Sequence, residues 1–97
     1  MRLSQKLKKR IINTVYEVFG RVDIYLFGSR VDDEKRGGDI DLALDIMLSK
    51  KEFRRKKAAF YAKLVRMDFL YDVDLVSFHT KDTLLQNEIQ NHHIKLT

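Results

Sequence analysis

The stretch that decides this chain reads Leu26-Phe27-Gly28-Ser29-Arg30 and resumes, after a polar loop, as Gly38-Asp39-Ile40-Asp41-Leu42. Upstream of the turn, Val22 to Phe27 alternates and carries β-formers, which predicts a strand ending at Gly28-Ser29. Downstream, Asp39 to Ile46 predicts a second strand. Ile40, Leu42, Leu44 and Ile46 occupy one face of it, and Asp39, Asp41, Ala43 and Asp45 the other. A small-residue turn after an apolar strand can offer backbone N–H groups to phosphate oxygens. Two carboxylates spaced by one residue can hold the Mg²⁺ that such phosphates require.

Strand geometry sets the reach of these carboxylates. Asp39 and Asp41 share a face with Cα atoms roughly 6.5–7 Å apart, close enough to converge on a metal pair spaced about 3.5–4 Å. Asp45 lies roughly 13 Å beyond Asp41 along the strand and is excluded from the same cluster. A third carboxylate is expected from a neighbouring strand, where Tyr71-Asp72-Val73-Asp74-Leu75-Val76 offers two on one face. Asp74 is deeper in the apolar run and held by Val73 and Leu75, whereas Asp72 sits solvated at the strand entrance. Asp74 is therefore the expected base, or metal ligand, that activates an acceptor hydroxyl.

Outward from this centre, residues 4–19 read as a helix. Leu7, Ile11, Val15 and Phe19 recur every four residues, Ser4 can cap and Gly20 stops it. Residues 30–38 form a polar loop. Ser49 with Glu52 makes a capping-box pattern, opening a helix to about residue 70 with Phe53, Phe60, Leu64 and Met67 on its buried stripe. Asp72 to Phe78 is a third strand, residues 81–91 a last helix, and Ile94-Lys95-Leu96 a short edge strand. The fold class is α/β (α+β): a small mixed sheet of three to four strands, covered by helices on at least one face. Residues 1–97 form a single domain.

At 97 residues the chain holds one modest core with a site on its rim and little material for a second lobe. No run approaches the roughly 20 apolar residues of a membrane span, and the N-terminus lacks a signal-peptide h-region. The absence of cysteine excludes a disulfide framework and a thiolate metal site. A cytoplasmic protein is expected. The net charge of +5 comes mainly from residues 6–10 and 50–57, read as solvated faces of amphipathic helices rather than a dedicated nucleic-acid surface.

Taken together, these residues resemble the minimal nucleotidyltransferase (MNT) family, a reduced form of the polymerase-β-like superfamily. Its signature is an apolar strand, Gly-Ser, roughly ten residues, Asp-x-Asp, and an acidic residue on a later strand. The resemblance covers the chain from about Val22 onward. It implies a nucleotidyltransferase-like fold, contact of Gly28 and Ser29 with nucleotide phosphates, and Mg²⁺ bound by Asp39, Asp41 and Asp74 in a two-metal site. Arg30, beside Ser29, is a candidate charge-assisted donor to the triphosphate. The loop after Ser29 is a residue shorter than the commonest form, and Val31, Asp32, Asp33 and Glu34 stand where a glycine often falls. By the same resemblance the partner is a helical HEPN toxin. The expected function is AMP transfer from ATP to a tyrosine hydroxyl of that toxin, with the chain as its antitoxin. A non-catalytic antitoxin that masks its partner is the alternative. A nucleic-acid-binding domain ranks third, because there is no RNA-binding motif or aromatic stacking platform. His79, His92 and His93 lack ligand-type spacing with a carboxylate, and Phe60, Tyr61, Leu64 and Met67 are assigned to the core.

Overall fold

The computed structural model describes residues 5–27, 39–69, 72–91 and 93–97, with the backbone alone at Asp39. In chain order the elements are α1 (Gln5–Phe19), β1 (Asp23–Phe27), β2 (Asp39–Asp45), α2 (Lys50–Arg66), β3 (Asp72–Ser77), α3 (Thr83–Asn91) and β4 (His93–Lys95). The four strands form one mixed sheet in the order β3-β2-β1-β4. β1 runs antiparallel to both β2 and β4, while β2 and β3 are parallel. The β2–α2–β3 unit thus supplies the helical crossover that a parallel pair requires.

Alternation decides which face each residue meets. Ile24 and Leu26 of β1, Ile40, Leu42 and Leu44 of β2, and Val73 and Leu75 of β3 form one buried layer. Against it pack Ile11, Val15 and Phe19 of α1 with Phe60 and Leu64 of α2. The opposite face carries Phe27 and Ala43, covered by Ile89 and Leu85 of α3 and flanked by Tyr25, Val76 and Phe78. Helices therefore cover both faces. The Asp39, Asp41 and Asp45 positions lie on the α3 side, since they alternate with the fully buried Ile40, Leu42 and Leu44.

Local signals explain most element ends. Gly20 terminates α1 with φ +87°, a left-handed conformation that suits glycine, and its N–H reaches the Tyr16 carbonyl at 2.9 Å. Ser49 caps α2 as expected, its hydroxyl accepting from the Glu52 N–H at 3.1 Å. The other half of the expected capping box is replaced, because the Glu52 carboxylate pairs with Arg55 at 3.2 Å. α2 ends at Arg66 rather than near residue 70. Met67 closes the last turn onto the Lys63 and Leu64 carbonyls, and Asp68 takes φ 52°, which reverses the chain. α3 starts at Thr83, with the Asp82 carboxylate accepting from the Leu85 N–H at 3.2 Å. The edge strand falls one residue before its expected position, at His93–Lys95, and the Leu96 N–H still bonds the Ile24 carbonyl at 2.7 Å. No described helix is long and apolar enough to cross a membrane.

Candidate active site

Three elements converge on one end of the sheet. In the β1–β2 register Phe27, the residue that precedes Gly28-Ser29 in the sequence, is opposite Asp41. Gly28, Ser29 and Arg30 themselves lie outside the described residues, as does the side chain of Asp39. In the β2–β3 register Asp41 is the partner of Asp74 and Asp39 the partner of Asp72. Neighbouring parallel strands lie about 4.8 Å apart and paired residues share a face. Asp41 and Asp74 are therefore neighbours across the strand pair.

The environment of Asp74 differs from the expected one. Val73 and Leu75 are buried, but β3 is an edge strand and the Asp74 side chain is 56% exposed. Two residues of α2 hold it instead. The Lys57 ammonium lies 3.2 Å from Asp74 Oδ1, and the Tyr61 hydroxyl donates to the same oxygen at 3.3 Å. Tyr61, assigned to the core from sequence, packs its ring against the core and turns its hydroxyl to the site. Its phenol is pushed up to about 12, chiefly by burial, then by the negative charge of Asp74, while a hydrogen bond with the Leu75 backbone opposes the shift. Neither Lys57 nor Tyr61 is legible as a site residue in sequence. Their spacing of four places them on one helix face, but which strand that face meets is a tertiary fact.

Asp45, excluded by distance, is indeed engaged elsewhere. Its carboxylate meets His79 Nε2 at the far end of β2, a pairing that sequence reading missed because it depends on β3 lying beside β2. Asp72 is exposed at the start of β3. Aspartate carboxylates are oxygen donors of the hard type that suits Mg²⁺. Among the described residues no three acidic or imidazole groups cluster as a metal site, and the Asp39 carboxylate falls outside that description.

The model of the family "Polymerase beta, Nucleotidyltransferase" matches residues 5–97. The chain belongs to that family. The match takes in both halves of the signature and the whole crossover unit, so the sheet described above is a polymerase-β-like nucleotidyltransferase fold. Solved structures agree on the fold. A chain from the crystal structure of a toxin–antitoxin with AMP-PNP is similar with TM-score 0.68 and 23% identity, over 93% of this chain and 72% of that one. A chain from the tri-AMPylated Shewanella oneidensis HEPN toxin in complex with MNT antitoxin gives TM-score 0.67 and 23% identity, over 98% and 72%. A chain of the MntA-HepT toxin–antitoxin gives TM-score 0.63 and 23% identity, over 96% and 72%. No curated protein matches the chain significantly.

Proposed function

We propose that this nucleotidyltransferase is the antitoxin of a HEPN toxin in the cytoplasm and transfers AMP from ATP to a tyrosine hydroxyl of that partner. The observation that carries the reading is the register that sets Asp41 beside Asp74, at the end of the sheet where β1 runs into Gly28-Ser29. The similarity to toxin–antitoxin structures, one with AMP-PNP and one with an AMPylated toxin, supports the choice of donor and partner.

In this reading Gly28 and Ser29 offer N–H groups to the triphosphate and Arg30 adds a charged donor. Asp39, Asp41 and Asp74 would hold Mg²⁺, which when bound neutralises phosphate charge and aligns the reacting oxygens. The tyrosine oxygen forms a bond to the α-phosphorus, the bond to the β-phosphate oxygen breaks, and pyrophosphate leaves. A carboxylate, for which Asp74 is best placed, takes the phenolic proton. Lys57 and Tyr61 fix the Asp74 carboxylate for that role. With no second lobe among the described elements, the acceptor is brought by the partner.

The test uses labelled ATP, Mg²⁺ and the HEPN protein encoded beside this chain. Label should reach the toxin and disappear in the toxin's Tyr→Phe variant. Absence of transfer by wild type, or undiminished transfer by Asp39→Asn/Asp41→Asn, rules the reading out.

A further inference from the structure

The Tyr61 hydroxyl rests on Asp74 Oδ1 at 3.3 Å, and in the transfer reading Asp74 is the group that takes the proton of an acceptor tyrosine. A tyrosine of this chain therefore already makes the contact that the toxin's tyrosine has to make. A general base has to lie within about 2.6–3.2 Å of the oxygen it deprotonates, and such bonds run longer before substrate binds. Burial and the negative charge of Asp74 keep the phenol protonated. Its proton has to leave as the new bond forms, to a base already in contact.

The order of residues across the sheet supplies the direction of attack. Asp41 pairs with Asp74 on one side and with Phe27 on the other, and Phe27 precedes Gly28-Ser29 in the sequence. Tyr61 reaches Asp74 from α2, and β3 is the outer strand of the sheet. At about 4.8 Å per strand, the hydroxyl and the Phe27 position lie on opposite sides of Asp41. In-line displacement at phosphorus needs the entering and leaving oxygens on opposite sides too. A triphosphate held by the residues after Phe27 has its β-phosphate directed away from Tyr61. Lys57 lies 3.2 Å from the same Asp74 oxygen and 5.9 Å from the centre of the Tyr61 ring. An ammonium thus stands where negative charge gathers during transfer.

We propose that this chain, when no partner is bound, adenylylates itself on Tyr61. The inference rests on the transfer reading above and adds a second acceptor to it. The Tyr61 oxygen forms a bond to the α-phosphorus of ATP, and the bond from that phosphorus to the α,β-bridging oxygen breaks. Pyrophosphate leaves and the phenolic proton passes to Asp74. The step is intramolecular, because hydroxyl and base belong to one chain, 13 residues apart. The modified chain lacks the hydroxyl that holds Asp74 and carries a nucleotide where the toxin's tyrosine has to enter.

The full chain is incubated with ATP and Mg²⁺ in the absence of toxin and followed by intact mass. Wild type should gain the mass of one AMP moiety, and peptide mapping should place it on Tyr61. The first-order rate should stay constant across a dilution series of the protein. Tyr61→Phe, which retains the ring, should lose the adduct entirely, and Asp74→Asn should form it about 100-fold more slowly or worse. The mapping on wild type stands whether or not the variants fold. A chain that transfers AMP to the toxin but gains no adduct itself overturns the proposal. So does an adduct at another residue, an equal adduct in Tyr61→Phe, undiminished modification of Asp74→Asn, or a rate that rises with protein concentration. Absence of transfer to both chain and toxin refutes the underlying transfer reading, and the proposal with it.

Discussion

Replacing Lys57 by Met removes the ammonium from Asp74 and retains most of the aliphatic stem, so charge is the main variable. The two side chains are 29% and 56% exposed and 3.2 Å apart, which puts the pair in the partly solvated class worth about 0.2–1 kcal/mol. Two consequences follow with opposite signs. Folding loses that amount, and at about 4–8 °C per kcal/mol for a domain of this size the melting temperature falls by roughly 1–8 °C. Under the proposed metal site, cation binding should gain, because a metal would no longer compete with an ammonium for Asp74. At 1.4 kcal/mol per tenfold the same range corresponds to about 1.4- to 5-fold tighter binding. The assay is calorimetric titration of nucleotide-free protein with Mg²⁺ or Mn²⁺ at fixed low salt, paired with a thermal melt of the apo protein. A lower melting temperature with unchanged or weaker cation binding would refute the idea that Lys57 opposes metal at Asp74.

Three further outcomes are expected. The Tyr61 phenol, at about 12, is raised above the 10.0 of an unperturbed tyrosine, so the folded state holds this proton more firmly; the associated stability is full below pH 10 and drains away between about pH 10 and 12. Alkaline denaturation should be steeper for wild type than for Tyr61→Phe across that window, and parallel curves would contradict the assignment. Leu42→Ala, at a fully buried position of the layer between sheet and helices, should cost about 2–5 kcal/mol in chemical denaturation. Gly20→Ala meets no atom within 4 Å, so any loss comes from the φ of +87°; it should amount to about 1–2 kcal/mol, and a neutral result in the melt would show that the backbone there relaxes.

What the sequence revealed was whatever a single element encodes. Alternation in residues 39–45 separated a wholly buried face from the aspartate face, and Ser49 announced the start of α2. The burial of Val73 and Leu75 on either side of Asp74 was also legible, but not the exposure of the Asp74 carboxylate itself. That last point needed the strand order, since nothing local marks β3 as an edge. The same holds for Tyr61, whose ring obeys the apolar stripe while its hydroxyl belongs to a neighbouring strand. The pairing of His79 with Asp45 likewise exists only because a crossover returns β3 parallel to β2. The end of α2 escaped because the apolar pattern continues through Met67 and Phe69, and the reversal rests on a backbone angle at Asp68.

The parallel pairing of β2 with β3 has a consequence for how such a chain tolerates change. Asp41 and Asp74 are bracketed by Ile40–Val73 and Leu42–Leu75, so the pairs that align the acids are the ones that seal the interior. Exchange of one aliphatic residue for another at those four positions leaves the alignment intact. Deletion of a single residue within either strand turns the apolar side chains outward and the acids inward in one step. Along these two strands the fold therefore tolerates changes of composition far better than changes of length.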